Sequence, residues 1–279
     1  MMNKKDDAIK EFIASEIRNF VRKYMERSDI STKWGIPLVG FANAKHPYIR
    51  DLKKIVGDAH EMPEDVLPDA KIVIAYYLPF TKELNRMNSE AGRHAASQWA
   101  IAYEETNAIF DCLSEHLIGF LKAKGYNAAV SKATKTFDRN LLKSNWSHRH
   151  FAYAAGLGTF GVNNMLISKV GCSGRYFTLV TNLEVSPDEP MKSEMCLHKR
   201  NGKCLVCVKK CPVGALGNGG RNGYDGYDRH LCYSMISENA KIHKGYGSSY
   251  SNEENIDCTL GTEVCGKCIT SSPCATWKG

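Results

Sequence analysis

Nine of the chain's eleven cysteines lie between Cys196 and Cys274, and this crowding constrains the fold more than any other feature of the 279 residues. Residues 202–215 read GKCLVCVKKCPVGA. The first set is Cys196-x7-Cys204-x2-Cys207-x3-Cys211-Pro212. The second is Cys265-x2-Cys268-x5-Cys274, with Cys232 and Cys258 upstream of it. Closely spaced thiolates can reach three corners of one iron–sulfur cube, while the cysteine before the proline turns away to another cluster. Pro212 removes an amide donor and fixes φ where the chain leaves the cluster. Zinc also takes Cys-x2-Cys pairs, but a structural zinc uses four ligands and Cys-x3-Cys-Pro is no zinc habit. The spacing therefore predicts two [4Fe–4S] clusters. In the crossed arrangement one is held by Cys196, Cys204, Cys207 and Cys274. The other takes Cys211, Cys265, Cys268 and either Cys232 or Cys258; spacing alone favours Cys258, because Cys258-x6-Cys265 echoes Cys196-x7-Cys204. The remaining cysteine, with Cys112 and Cys172, reads as a small buried hydrophobe.

Disulfides do not explain these cysteines, because their number is odd and the chain reads as cytoplasmic, where thiols stay reduced. The N-terminus, MMNKKDDAIKEF, has neither an apolar signal core nor an Arg-Arg export signal, and no apolar run is long enough to span a bilayer. An apolar fraction of 43% with 24% charged residues suits a chain that buries a real core. The net charge of +7 is compatible with an anionic substrate or nucleic acid, although a solvated basic surface is the commoner cause.

The cysteine distribution divides the chain into a large part, residues 1–188, and a small one, residues 189–279, joined by the linker SPDEP at 186–190. Apolar residues Ile9, Phe12, Ile13, Ile17, Phe20, Val21 and Tyr24 share a helical face over residues 5–27. Residues 71–77 (KIVIAYY) read as a buried strand ended by Leu78-Pro79. A second amphipathic helix is predicted over residues 103–124, with Gly125 as its stop. Residues 128–131 read as a strand and 151–155 as a short helix. Residues 165–168 and 176–181 flank KVGCSG and are predicted to pair as a β-hairpin. The outcome is an α+β core up to about residue 188, followed by Gly- and Asn-rich loops at 217–228 and 245–255.

A plain two-cluster carrier needs little more than the last ninety residues, so the first part should supply the site that electrons reach. Its richest stretch is residues 146–168, WSHRHFAYAAGLGTFGVNNMLIS. Gly156, Gly158 and Gly161 would let backbone approach a flat ligand closely. Gly156-x-Gly158-x-x-Gly161 matches the letters of a dinucleotide fingerprint but follows a helix-like stretch, so the plain alternative is a tight helix-to-strand turn. His148 and His150, at i and i+2, would share a face only on a strand, and without a third ligand they read as structural or substrate-binding residues. Arg149 could hold a phosphate or carboxylate.

Residues 147–168, the Cys196 to Pro212 series, YDRHLC ending at Cys232, and VCGKC together resemble the epoxyqueuosine reductase-type proteins, which share their architecture with reductive dehalogenases. The resemblance spans about residues 140–275. It implies a nitroreductase-like cobalamin-binding domain followed by a ferredoxin-like domain with two [4Fe–4S] clusters, and it selects Cys232 over Cys258 as the eighth ligand. It further implies cobalamin over the glycine turn, with Gly156, Leu157, Gly158, Gly161, Asn163 and Asn164 at the matching positions. The activity implied is reductive removal of an oxygen or halide. Electrons would come from an external donor such as ferredoxin or flavodoxin and go to a small-molecule or nucleoside-type substrate.

Members of that family carry an acidic proton donor upstream of the glycine turn. The matching position here falls near Leu142, so Asp138 is the substitute candidate, with Tyr153 and His148 as further donors. Long members append helical repeats that help bind tRNA; this chain ends at Gly279 without them, which argues against a tRNA substrate. Two other readings are a non-catalytic electron-transfer protein docking a partner, and a flavin-using reductase on the same scaffold.

Overall fold

The computed structural model describes residues 4–135, 137–138, 140–217, 226–247 and 261–277. Helix α1 (Lys4–Tyr24) leads to strand β1 (Leu38–Asn43) and three single-turn helices, α2 (Pro47–Arg50), α3 (Leu52–Ile55) and α4 (Pro63–Val66). Strand β2 (Ile72–Pro79) precedes α5 (Lys82–Glu90) and the long α6 (Ser97–Lys122). Short strands β3 (Ala128–Ala129), β4 (Phe137–Asp138) and β5 (Lys143–Ser144) come next. Then follow α7 (His148–Ala154), β6 (Gly158–Phe160), β7 (Leu166–Ser168) and β8 (Gly174–Thr181). The cysteine-dense part contributes α8 (Leu197–Asn201), α9 (Val206–Lys210), α10 (Arg229–Ile242) and α11 (Lys267–Thr270).

The main sheet is antiparallel, in the order β1-β2-β8-β3. All eight residues of β2 are buried, as a central strand requires when both faces are covered. Its period of two decides which layer each side chain joins. Ile72, Ile74, Tyr76 and Leu78 pack with Ile13, Ile17 and Val21 of α1 and Ile109, Phe110 and Leu113 of α6. Val73, Ala75 and Tyr77 face Phe151, Ala152 and Ala154 of α7. Cys196, Cys207, Val264 and Ile269 share the first of these cores, so the apolar interior runs on past residue 188. The structure is thus a mixed helix–sheet fold. No helix among the described residues is long and apolar enough to cross a membrane.

Several expectations change. The strand predicted over 71–77 runs through Leu78 and Pro79, because Pro79 lies at the strand's end, where it needs no ladder donor. The helix predicted from 103 starts at Ser97. Strand β1 went unread because Gly40 interrupts its apolar pattern; a Cβ there would lie 2.4 Å from the Ala155 oxygen. The predicted hairpin does not form. Residues Leu166–Ser168 pair instead with β6, and β8 pairs with β2 and β3. Between them the chain changes sheets, with Cys172 and Ser173 donating to the Cys274 and Ala275 carbonyls at 2.9 and 3.1 Å. The linker is fastened too: Asp188 accepts from the Phe41 amide at 2.8 Å and pairs with Lys10 at 2.7 Å. Most of the two predicted Gly- and Asn-rich loops lies outside the described residues.

A polar seam joins α5 and the start of α6 to the cysteine-dense part. Asn88, fully buried, donates to the Cys265 carbonyl at 3.0 Å and accepts from the Ala96 amide at 3.0 Å. Asn239 accepts from the Ala95 amide at 2.8 Å, and His94 meets Glu238 at 2.7 Å.

Candidate iron–sulfur and reduction site

Short helices carry the cysteines because the spacings leave room for little else. Cys196 caps α8, Cys207 lies in α9, and Cys211 ends α9 one turn later. A single helical turn thereby sends its two thiols to two different places. Helix α11 packs against α9 and repeats the device, with Cys265 before it, Cys268 within it and Cys274 after it. Gly266 caps α11 at φ +74°, and a Cβ there would lie 2.5 Å from the Trp99 ring, so only glycine serves this position.

Cys196, Cys204, Cys207 and Cys274 line one small cavity together with Asn163, Ser272 and the apolar side chains of Val162, Ile167 and Leu197. The approach to Cys196 is fixed by Glu194, which accepts from the Cys196 amide at 2.8 Å and from the Thr159 hydroxyl at 2.7 Å. Burial, then the neighbouring Cys274, pushes the Cys207 thiol up to about 12. A fifth sulfur, Cys172, lies 3.8 Å from that of Cys274. Hydrogen bonds from Cys172 and from Ser272 (3.2 Å) draw the Cys274 thiol down to about 7, while Cys172 is held well above its ordinary value.

Cys211, Cys232, Cys265 and Cys268 form the second group. Burial raises Cys265 to about 11, and Cys232 and Cys211 add to it. Burial also lifts Cys268, with Cys265, Cys232, Cys207 and Cys211 contributing, so the two groups lie within electrostatic reach of each other. Clustered buried thiols resist ionising together unless a cationic centre compensates them. Among the described residues no group of three or more His, Cys, Asp or Glu side chains is placed to hold a metal ion. Four thiols bordering one cavity are nevertheless the donor chemistry that an iron–sulfur cluster takes. Cys258 lies outside the described residues. Cys112 is exposed on α6, contrary to the expectation of burial, whereas Cys172 is buried as expected.

His148 and His150 lie on a helix, and their rings diverge. His148 stacks on Phe177 at 4.5 Å and bonds Thr178 at 2.9 Å; His150 bonds Ser147 at 2.6 Å and packs on Phe160 at 4.8 Å. Burial, with Arg175 and Arg149 nearby, pushes His148 down to about 3, and burial with Arg149 does the same to His150. Both imidazoles are neutral at pH 7. Arg149 donates to the Asn164 carbonyl, and burial lowers it from its ordinary value. Tyr153 is half-buried with its ring 4.6 Å from that of Tyr48. Asp138 is exposed, and its carboxylate accepts from the Asn140 and Leu141 amides at 2.8 Å each.

The glycine turn closes on the chain itself. A Cβ at Gly156 (φ +70°) would lie 2.4 Å from the Glu189 oxygen, and one at Gly158 would lie 2.3 Å from the Ile167 oxygen. At Gly161 it would meet Asn163 and Ile167 at 2.7 and 2.8 Å. The Cβ side of each of these glycines is filled by the chain's own atoms. Leu157 is buried in the α7 core, Asn164 is exposed at φ +58°, and Asn163 faces the cysteine cavity. Sequence reasoning passed over Asn88 and the contact of Cys172 with Cys274; neither has a spacing signal.

No protein-family profile matches the chain. It is similar to proteins named epoxyqueuosine reductase. That of Francisella cf. novicida is 38% identical over 73 residues, 24% of this chain and 18% of that protein. That of Staphylococcus aureus is 26% identical over 191 residues, 66% of this chain and 43% of that protein. The chain spans less than half the length of these curated relatives. Among solved structures, epoxyqueuosine reductase from Streptococcus thermophilus matches with a TM-score of 0.52 and 19% identity, over 92% of this chain and 66% of that one, a likeness of fold.

Proposed function

We propose that this chain, a relative of the epoxyqueuosine reductases, is an iron–sulfur reductase of the cobalamin-using kind, whose cysteines would hold two [4Fe–4S] clusters and whose first part would bind the cobalamin and the substrate. The observation that carries the reading is the sorting of eight cysteines into two adjacent groups, each drawing on both ends of the cysteine-dense segment. Cys196, Cys204, Cys207 and Cys274 would hold one cluster, and Cys211, Cys232, Cys265 and Cys268 the other. When bound, these groups supply low-potential electrons and a strongly reducing cobalt. Cobalamin rests on the family resemblance. In this reading residues 1–188 form the nitroreductase-like substrate part and 189–279 the ferredoxin-like part.

The chain's own residues have distinct tasks. Val162, Ile167 and Leu197 keep water from the first thiol group. Tyr153 is the preferred proton donor, since it lies on α7 just before the glycine turn, half-buried beside Tyr48. Asp138 already binds two turn amides, and a neutral His148 is a weak acid. The substrate class is a small molecule or nucleoside, with ferredoxin or flavodoxin as electron donor.

Anaerobic purification followed by iron and sulfide analysis tests the reading, with about eight of each expected per chain. Titration with cob(II)alamin, followed by its EPR signal, tests the rest. Full iron with no response to cobalamin would turn the assignment to a plain electron carrier. Zinc in place of iron would end it.

A further inference from the structure

Asn163 sits in the turn between β6 and β7 and is only 5% exposed. Its side-chain oxygen accepts from the Met165 amide at 3.2 Å. Only the oxygen can accept from an N–H, so the amide's orientation is fixed, and Nδ2 is left to point elsewhere. Nδ2 is buried and meets no protein oxygen or nitrogen in a hydrogen bond; the protein group it acts on is the Cys172 thiol. The side chain lines the cavity bordered by Cys196, Cys204, Cys207 and Cys274, and it also faces the Cys172 thiol.

A buried donor without a strong acceptor loses much of its hydration uncompensated, and the Cys172 thiol, which itself donates to Cys274 at 3.8 Å, is a weak acceptor, so the amide's persistence calls for a stronger partner. The turn explains the oxygen: a serine or aspartate would receive the Met165 amide equally well. The nitrogen is not explained by the turn. The other lining groups are apolar or sulfur, apart from Ser272, whose hydroxyl already meets Cys274. The acceptor that fits is a sulfur atom of whatever the four thiols hold.

We propose that Asn163 Nδ2–H donates to sulfur of the cluster held by Cys196, Cys204, Cys207 and Cys274, and so raises that cluster's reduction potential. This rests on the iron–sulfur reading given above. The positive end of an amide dipole favours the more negative, reduced form, and hydrogen bonds to sulfur are among the levers that set such potentials. Asn163 is therefore a positioning and tuning residue, a role distinct from the cobalamin contact expected from the sequence.

The test uses the full chain, purified anaerobically, as wild type and as Asn163→Ser, which keeps an acceptor for Met165 and loses the amide. Iron is counted first, and a wild type without cluster iron overturns both this proposal and its premise. With iron present, the reduced wild type is labelled with side-chain 15N-asparagine. Asn163 is the sole asparagine lining the cavity. Pulsed EPR should then resolve a 15N coupling to the cluster. EPR-monitored titration should find one of the two potentials shifted to more negative values in Asn163→Ser, with the other unchanged and iron retained. No 15N coupling in the wild type, or unaltered potentials in an iron-replete variant, overturns the proposal while leaving the clusters in place.

Discussion

Replacing Asn88 with alanine should weaken the whole seam between α5 and the second cysteine group. The side chain is fully buried and bonds both ways: Nδ2 to the Cys265 carbonyl at 3.0 Å and Thr270 at 3.4 Å, Oδ1 from the Ala96 amide at 3.0 Å. Truncation strands the Ala96 N–H and the Cys265 carbonyl in the interior. Each buried group left without a partner costs about 1–3 kcal/mol. The two together should cost about 4 kcal/mol, a large part of a typical folding stability of ~5–15 kcal/mol. The neighbouring Ser89 makes an exposed bond to Ser271 at 3.0 Å, so Ser89→Ala should stay within about 0.5 kcal/mol of wild type. Urea unfolding of the anaerobically purified chain, read by tryptophan fluorescence, compares the variants, since Trp99 packs on Gly266 beside this seam. A loss below about 1 kcal/mol in Asn88→Ala would refute the reasoning, because the stranded groups would then have found other partners.

Cys207→Ser should remove about half the iron, whereas exposed Cys112→Ser should remove none; iron analysis decides, and full retention in Cys207→Ser would contradict its role as a ligand. Gly158→Ala should lower stability by about 1–3 kcal/mol, because its Cβ would lie 2.3 Å from the Ile167 carbonyl oxygen; an unchanged melting temperature would overturn that packing argument. His148 and His150 titrate near 3 when folded and near 6.5 when unfolded. The unfolded chain therefore takes up protons first, and the stability they contribute is full above pH 6.5 and falls as pH drops toward 3. Unfolding midpoints at pH 7 and pH 5 should differ less in His148→Gln than in wild type; an equal difference would count against a buried neutral ring.

The sequence foretold what depends on spacing. The cysteine intervals brought Cys196, Cys204 and Cys207 together, because thiols close in sequence end close in space, and the crossed two-cluster pattern added Cys274; all four border one cavity. The apolar face of α1 and the buried run of β2 were legible for a related reason, each being a short-range pattern. Pairing between distant segments was not. The KVGCSG turn carries ordinary hairpin chemistry, yet β7 found β6 and β8 found β2, because the long buried partner Ile72–Pro79 outweighs a local turn preference. The same long-range packing placed His148 and His150 on a helix, where the interval that would align them on a strand drives them apart.

The glycines mark where close reading of a motif and its physical cause separate. Gly156, Gly158 and Gly161 read in the sequence as a surface kept bare for a ligand, and the chain's own atoms give each a second reason to lack a side chain. Gly158 and Gly161 let β6 lie against β7 closely enough to bring Val162, Asn163 and Ile167 to the first thiol group, while Gly156 lets the Glu189 backbone approach. On this view the turn shapes one wall of the sulfur cavity, and its tolerance to mutation should track that wall. Val162→Asp, which puts a carboxylate where the cavity is apolar, should then impair cluster retention in a protein that still folds. Asn164→Ala, at an exposed position beside it, should leave iron content unchanged. Equal iron in both variants, measured on folded protein, would detach the turn from the cysteines and leave its glycines with a purely local role.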